Sequence, residues 1–187
     1  MNDEIKRQIL HLLAGTICTA ILLYLPKEQS LATLVLLFGG ISFIAYAHSR
    51  IGAVPFISQI IWDVERGGEK RIAGEGALSF FLGVILASIV FFPFDKMVAV
   101  GAVIALTFGD GFSTLAGKLA GKHKTQGDKT LEGTIGGVVA AAIALAAFFE
   151  PATALVAAIF GMLAEYLPIN DNYTIPLAAG IVLLILI

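Results

Sequence analysis

Four polar residues recur at every fourth position after a long apolar run: Asp110, Thr114, Lys118 and Lys122. On a continuous helix they would share one face, because residues four apart lie one turn above another. That face is acidic near the apolar run and basic beyond it. A carboxylate followed by lysines suits a divalent cation with phosphate oxygens further out. The alternative is that Asp110 caps a helix and the lysines are ordinary membrane anchors.

A second candidate for phosphate chemistry is the segment KTLEGTIGG, residues 129–137. It lies at the predicted start of a helix, where free backbone N–H groups and the helix dipole favour an anion. Lys129 would add charge, Thr130 a hydroxyl group, and Glu132 could bind a metal. Gly133 and Gly137 would allow a ligand to approach closely, but their spacing is also typical of tightly packed helices. Both interpretations of the glycines stay open.

Neither segment is a Walker P-loop. Five residues, not four, separate Gly111 from Gly117, and Leu119 follows Lys118 where the motif requires Ser or Thr. The sequence therefore argues against a soluble P-loop ATPase, and a phosphate site here would be of another kind.

Three more polar clusters lie at the edges of apolar runs and are candidates to join the first two. Their members are Glu4, Arg7 and His11 near the amino terminus, Glu75 before a later run, and Glu165, Asp171 and Asn172 near the carboxyl end. Ionisable groups at the ends of membrane helices are functional candidates by default. The alternatives are helix capping by Asp171 or Asn172 and an interfacial position for His11.

The elements that must position these residues are apolar helices. Hydrophobic residues make up 58% of the 187 residues and charged ones 14%, which is more apolar surface than a soluble domain of this size could bury. The sequence therefore predicts an all-α polytopic membrane protein with a single membrane-embedded domain, 1–187. Its seven candidate transmembrane helices are 8–25, 31–48, 74–92, 97–118, 134–149, 152–167 and 174–187. Several are shorter than the roughly 20 residues of an untilted span.

The basic residues predict the orientation of these spans. Of the 12 Lys and Arg residues, all but Lys27 and Lys96 fall in alternate loops, which places the amino terminus in the cytoplasm. The cytoplasmic loops are then near 49–73, 110–133 and 168–173. Within the first of these loops, residues 54–71 are predicted to form an interfacial helix. Every polar cluster above falls on this face. A one-sided site of carboxylates, lysines and glycines favours binding of a metal–nucleotide complex at the membrane surface.

Five segments, in order along nearly the whole chain, resemble the CTP-dependent polyprenol kinases. This family contains dolichol kinase and phytol kinase and is related to the phosphatidate cytidylyltransferases. The segments are EIKRQILH (4–11), GEGALSFFLG (74–83), GDGFSTLAGKLAGKHK (109–124), KTLEGTIGG (129–137) and EYLPINDNYTIP (165–176). The chain is similar to the compact form of the family. The cytidylyltransferase signature, with its basic Ser-Lys-Arg start, is absent.

The resemblance implies transfer of the γ-phosphoryl group of CTP to the hydroxyl of a long isoprenoid alcohol such as dolichol or phytol, giving CDP and a polyprenyl phosphate. It implies a nucleotide site in residues 110–124 and 129–134. The candidate contacts there are Gly111, Ser113, Thr114, Lys118, Lys122, Lys129, Thr130, Glu132, Gly133 and Thr134.

For this reaction we expect Mg²⁺ to be held by Asp110 with help from Glu132 or Asp171. The proton of the alcohol would be accepted by Asp110, Glu165 or His11. Membrane lipids are expected neighbours, an oligomer is compatible with the sequence, and no nucleic-acid partner is expected. Two other functions stay open: a CTP-dependent cytidylyltransferase acting on a lipid phosphate, and a small transporter or scaffold.

Overall fold

The computed structural model describes residues 3–51 and 75–187, and the regular structure in these residues is helical. The helices are α1 (Asp3–Tyr24), α2 (Lys27–Ile51), α3 (Glu75–Phe91), α4 (Lys96–Ile104), α5 (Gly111–Ala120), α6 (Leu131–Leu145), α7 (Pro151–Leu163) and α8 (Asp171–Leu186). A π-helical segment, Ala105–Asp110, joins α4 to α5, and a 3₁₀ turn, Ala164–Tyr166, follows α7. The all-α prediction is confirmed here. The interfacial helix predicted at 54–71 lies outside the described residues.

When Lys96–Ala120 is counted as one helix together with its π-helical segment, the described part of the chain has seven apolar helices, the number that the sequence predicts. Three of them are long and apolar enough to cross a membrane: Glu4–Tyr24, Lys27–Ala47 and Lys96–Ala120. The other four apolar helices are shorter than the roughly 20 residues of an untilted span: Glu75–Phe91, Leu131–Leu145, Pro151–Tyr166 and Asp171–Leu186.

The last helices begin earlier than the apolar pattern predicts, because their first turns are polar. The helix predicted at 134 begins at Leu131, where the Thr130 side chain caps it by accepting the Gly133 N–H. The helix predicted at 174 begins at Asp171 and is capped by Asn170, whose side chain accepts the Asn172 N–H. The capping alternative is therefore wrong for Asn172, whereas the Asp171 carboxylate shares the Asn172 N–H with Asn170, at 3.1 Å.

Pro176 would lie in the first turn of the helix predicted at 174, but it lies in the second turn of α8, because this helix already starts at Asp171. Proline has no N–H, so the carbonyl of Asn172 loses its usual helical partner. Gly83 of α3 packs directly against this carbonyl, at a place where any Cβ would collide with it. The glycine thus lets α3 cover the break in the α8 hydrogen-bond ladder.

Helix α4 is the centre of the bundle. Its residues from Val98 to Ile104 are all buried, as expected for a helix that is apolar on every side. Helices α1, α3 and α8 pack around it. The central helix therefore carries the π-helical segment, and Asp110 at its end, from the core towards the polar end of the molecule.

The two lysines predicted to lie apart from the others are found at the opposite end. Lys96 donates to the carbonyl oxygens of Leu23 and Leu25, both at 2.9 Å, and Lys27 donates to the carbonyl of Phe92. Cations near helix carboxyl termini satisfy carbonyls that have no partner within the helix. These two lysines therefore have structural roles, and the polar clusters that could do chemistry lie at the other end.

Candidate active site

Asp110 is the last residue of the π-helical segment, and the helix continues through it into α5. Its side chain makes no capping hydrogen bond, so the alternative role as a helix cap is wrong. The Asp110 carboxylate instead faces α1, where its Oδ2 lies 3.7 Å from Nε2 of His11. Segments of π-helix inside α-helices occur frequently at functional sites.

Ionisable residues from several elements interact electrostatically with Asp110. They are His11 and Arg7 of α1, Asp171 of α8 and Lys129 of the loop before α6. Asp110 in turn acts on Glu165. Asp110 and Asp171 repel each other, which is costly in a confined site unless a cation lies near both. The chain thus gathers residues that lie far apart in sequence into one cluster.

Lys129 is held in this cluster by three contacts. Its ammonium group donates to the main-chain carbonyl of Glu165, lies 3.7 Å from Oδ2 of Asp171, and sits 5.7 Å from the centroid of the Tyr166 ring. Gly127, with a φ of 63°, permits the tight turn that precedes Lys129. Glycine adopts this left-handed conformation without steric cost.

The Glu165 carboxylate joins three elements. The residue is 4% exposed, and its two oxygens accept hydrogen bonds from Ser113 at 3.2 Å and from Thr134 at 2.7 Å. Thr134 also contacts the hydroxyl of Tyr166. Ser113 and Thr134, predicted nucleotide contacts, therefore bind Glu165, and this carboxylate positions α5 and α6 against the 3₁₀ turn.

An open cavity of about 370 Å³ lies beside this cluster. Its lining includes Lys129, Glu165, Tyr166 and Asp171, together with Gln126 and the turn at 167–170. The cavity therefore presents an ammonium group, a carboxylate and an aromatic ring to a ligand arriving at this end of the molecule.

Glu132 is not part of the Asp110 cluster. Its carboxylate accepts the N–H groups of Lys122 and His123 at 3.1 and 3.2 Å and contacts Nδ1 of His123 at 2.6 Å. The hydrogen bond from His123 holds the pKa of Glu132 at about 2. Glu132 therefore anchors the loop before α6, and His123, which the sequence analysis did not single out, is its partner.

The expected metal site is only partly assembled. Within the ranges 3–51 and 75–187, no three His, Cys, Asp or Glu side chains lie close enough together to hold a metal ion. Asp110 and Asp171 interact electrostatically, whereas Glu132 is bound to Lys122 and His123. The metal role predicted for Glu132 has no support in this geometry.

The amino-terminal turn of α6 has less room for an anion than predicted. The Leu131 N–H donates to the His123 carbonyl at 2.9 Å, and the Gly133 N–H donates to the Thr130 hydroxyl. A Cβ added to Gly133 would lie 2.8 Å from the Ser113 carbonyl. The packing interpretation of this glycine therefore holds, because α5 fills the space in front of it.

Gly111 also serves packing, since a Cβ there would lie 2.8 Å from Leu12. Lys122 departs from the predicted face because α5 ends at Ala120, and it is exposed in the loop. Thr114, on α5, is partly buried. Glu75 is exposed in the first turn of α3.

Lys118 turns towards α1 rather than towards Lys129. Its ammonium group lies 3.4 Å from Oε2 of Glu4. Glu4 is also paired with Arg7 and accepts from Gln8 at 3.2 Å. These contacts fasten the start of α1 to α5.

Several buried polar side-chain atoms have no hydrogen-bond partner in the described part of the chain. On α1 and α8 they are Arg7 Nε, Gln8 Oε1, His11 Nε2, Asn172 Oδ1 and Thr174 Oγ1. Such atoms are rare in folded proteins, and each costs about 1–3 kcal/mol. Gln8 and Thr174 were missed by the sequence analysis because they are uncharged. Their distinguishing feature is burial without a partner, which a sequence alone does not display.

Comparison with known proteins gives one relative with extensive coverage. An uncharacterized protein of Methanocaldococcus jannaschii is 26% identical over 184 residues, which span 96% of this chain and 92% of the relative. No family model matches the chain, and no solved structure matches it.

Proposed function

We propose that this chain is a multi-pass membrane phosphotransferase that moves the γ-phosphoryl group of CTP to the hydroxyl of an isoprenoid alcohol, with its active site on the cytoplasmic face. The observation that carries the proposal is the cluster of Asp110, His11, Asp171 and Lys129 at one end of an otherwise apolar helical bundle. The choice of CTP and of an isoprenoid acceptor comes from the resemblance of five sequence segments to the CTP-dependent polyprenol kinases.

The orientation rests on the distribution of the basic residues. Lys118, Lys122 and Lys129 belong to the end that carries the cluster, whereas Lys27 and Lys96 hold helix termini at the opposite end. By the positive-inside rule the clustered end faces the cytoplasm. This is also the side from which a nucleotide arrives.

The cavity beside Lys129 is the proposed place for the nucleotide. Lys129 would hold phosphate oxygens there, and the Tyr166 ring would form part of the wall. Asp110 and Asp171 suit Mg²⁺, since this ion takes hard oxygen ligands and is commonly bound by one or two carboxylates plus substrate phosphates. The ion would neutralise negative charge on the phosphate oxygens.

In the proposed reaction the oxygen of the alcohol forms a bond to the γ-phosphorus, and the bond from this phosphorus to the oxygen bridging the β-phosphate breaks. CDP leaves with that oxygen. The proton of the hydroxyl passes to Asp110 or to His11, which lie 3.7 Å apart. Glu165 is a weaker candidate for the base, because both of its oxygens already accept hydrogen bonds.

The products test this proposal directly. Purified protein in lipid nanodiscs is incubated with Mg²⁺, each nucleoside triphosphate in turn and a panel of prenols. We expect CDP and a polyprenyl phosphate to form together, in equal amounts. Release of pyrophosphate with a lipid phosphate as acceptor would instead identify a cytidylyltransferase. No nucleotide turnover with any acceptor would favour a transporter or scaffold.

Replacing Lys129 with Met should weaken nucleotide binding. The loss of one charge-assisted contact to phosphate corresponds to a rise of roughly 10- to 100-fold in the KM for CTP, with the KM for the alcohol nearly unchanged. Lys27→Met is the matched control, because each lysine donates to a main-chain carbonyl but Lys27 lies at the opposite end. An effect of Lys129→Met confined to the alcohol would contradict the phosphate role.

A further inference from the structure

The Lys129 ammonium group, the proposed phosphate ligand, is surrounded by three groups of the protein. They are the main-chain carbonyl of Glu165, which accepts a hydrogen bond, the Asp171 carboxylate, whose Oδ2 lies 3.7 Å away, and the Tyr166 ring, whose centroid lies 5.7 Å away. A lysine ammonium group has three N–H donors. A phosphate that binds Lys129 must therefore compete with one of these three groups.

Asp171 is the group that a ligand can displace. The Glu165 carbonyl belongs to the backbone of the 3₁₀ turn, and the Tyr166 hydroxyl is bound to Thr134. The 3.7 Å between Lys129 and Asp171 is too long for a hydrogen bond, and the two side chains are 31% and 37% exposed. Ion pairs that are open to solvent are weak. Asp171 therefore occupies one side of the ammonium group but can leave it.

The charges around the cavity oppose a triphosphate that carries no cation. Among the lining residues that the structure describes, Lys129 is the basic one, and Glu165 and Asp171 are acidic. Asp110 interacts electrostatically with both Lys129 and Asp171. A free triphosphate would be repelled by the Asp171 carboxylate and would compete with it for Lys129. A triphosphate with a bound cation would instead bring a positive charge to Asp171.

We propose that the Lys129–Asp171 ion pair makes the cavity select a metal-bound triphosphate over a free one. Asp171 holds Lys129 in the unliganded protein, and Lys129 is released to phosphate oxygens when the charge of Asp171 is neutralised. Asp171 thus determines specificity through repulsion of the wrong ligand, in addition to its candidate role as a metal ligand. The identity of the ligand rests on the proposed function.

The test measures binding of inorganic tripolyphosphate to the full chain in detergent by isothermal titration calorimetry, first in EDTA and then in Mg²⁺. In EDTA, Asp171→Asn should bind about three- to tenfold more tightly than the wild type, because the competitor for Lys129 is gone. Addition of Mg²⁺ should strengthen binding by the wild type more than binding by Asp171→Asn. Asparagine keeps the side-chain oxygen that accepts the Asn172 N–H, so the variant should fold.

Asp128→Asn is the matched control, since it removes the same charge one residue before Lys129. Asp128 is exposed, and solvent screens its charge, so its binding of tripolyphosphate in EDTA should equal that of the wild type. A second control introduces Asp171→Asn into Lys129→Met. The gain should be clearly smaller there, because only the repulsion by Asp171 remains to be removed.

Absence of a gain on Asp171→Asn in EDTA, whether or not the wild type binds, would overturn the proposal. The same result with a lowered melting temperature would show that the ion pair only fastens the loop before α6 to α8. An equal gain for Asp128→Asn, or an undiminished gain without Lys129, would also overturn it. The expected gain without any phosphoryl transfer would leave the selection standing and refute the proposed function, and phosphoryl transfer without the gain would do the reverse.

Discussion

Asp110→Asn is expected to lower kcat by about 10²- to 10⁴-fold, the range associated with loss of a general base. The amide keeps the shape of the side chain but can neither accept the proton of the alcohol nor hold a cation together with Asp171. The same change removes the repulsion between the two carboxylates. The variant should therefore be at least as stable as the wild type, and its melting temperature and its turnover of CTP would be measured on one preparation.

The control for this change is Asp95→Asn at the opposite end of the bundle. Asp95 caps α4 by accepting the Met97 N–H at 2.6 Å, and asparagine caps helices about as well as aspartate does. Its turnover should equal that of the wild type. If Asp110→Asn retained near-normal turnover, both the metal role and the base role of Asp110 would be refuted.

Gly137→Ala should destabilise the fold by about 1–3 kcal/mol, the usual cost of overpacking. A Cβ at this position would lie 2.7 Å from both the Gly109 carbonyl oxygen and Met162 Cε, and 2.9 Å from Ser113 Cβ. The carbonyl belongs to the π-helical segment, so the backbone itself has to move. The measurement is thermal or denaturant unfolding in detergent, followed by helix content.

Gly40→Ala should change the stability of the fold in the opposite direction. Gly40 lies in α2 with nothing within 4 Å of an added Cβ, so alanine should stabilise the helix by roughly 0.5–1 kcal/mol. If Gly137→Ala kept wild-type stability but raised the KM for CTP, the glycine would serve a ligand rather than the packing of α6.

The polar residues of the site lie at one end of the bundle because consecutive helices alternate in direction along the chain. Because consecutive apolar helices run in opposite directions, Asp110, Lys129 and Asp171 fall at the same end, and the sequence alone predicts that they lie close together. The sequence does not predict which contacts these residues make. Whether the Glu132 carboxylate meets Asp110 or His123 depends on the path of the loop before α6, and that path is set by Gly127 and by backbone hydrogen bonds.

Predictions from helical periodicity fail where a helix ends or changes its number of residues per turn. Lys122 was predicted to share a face with Asp110, but α5 ends at Ala120. The π-helical segment before α5 was not predicted, because its residues, ALTFGD, carry no signal for a wider turn. Thr174 shows a further limit, since an isolated threonine in an apolar helix has no feature in sequence that distinguishes a bonded hydroxyl from an unpaired one.

The short helices beside the site would affect the thickness of a bilayer around them. Helix α6 has 15 residues and α7 has 13, or about 22 and 20 Å at 1.5 Å per residue, against a hydrocarbon thickness of about 30 Å. A bilayer adapts to such a mismatch by thinning locally. Head groups would then sink next to α6 and α7, so that in the proposed reaction the alcohol end of a neighbouring lipid and the water-borne triphosphate would arrive at the same depth.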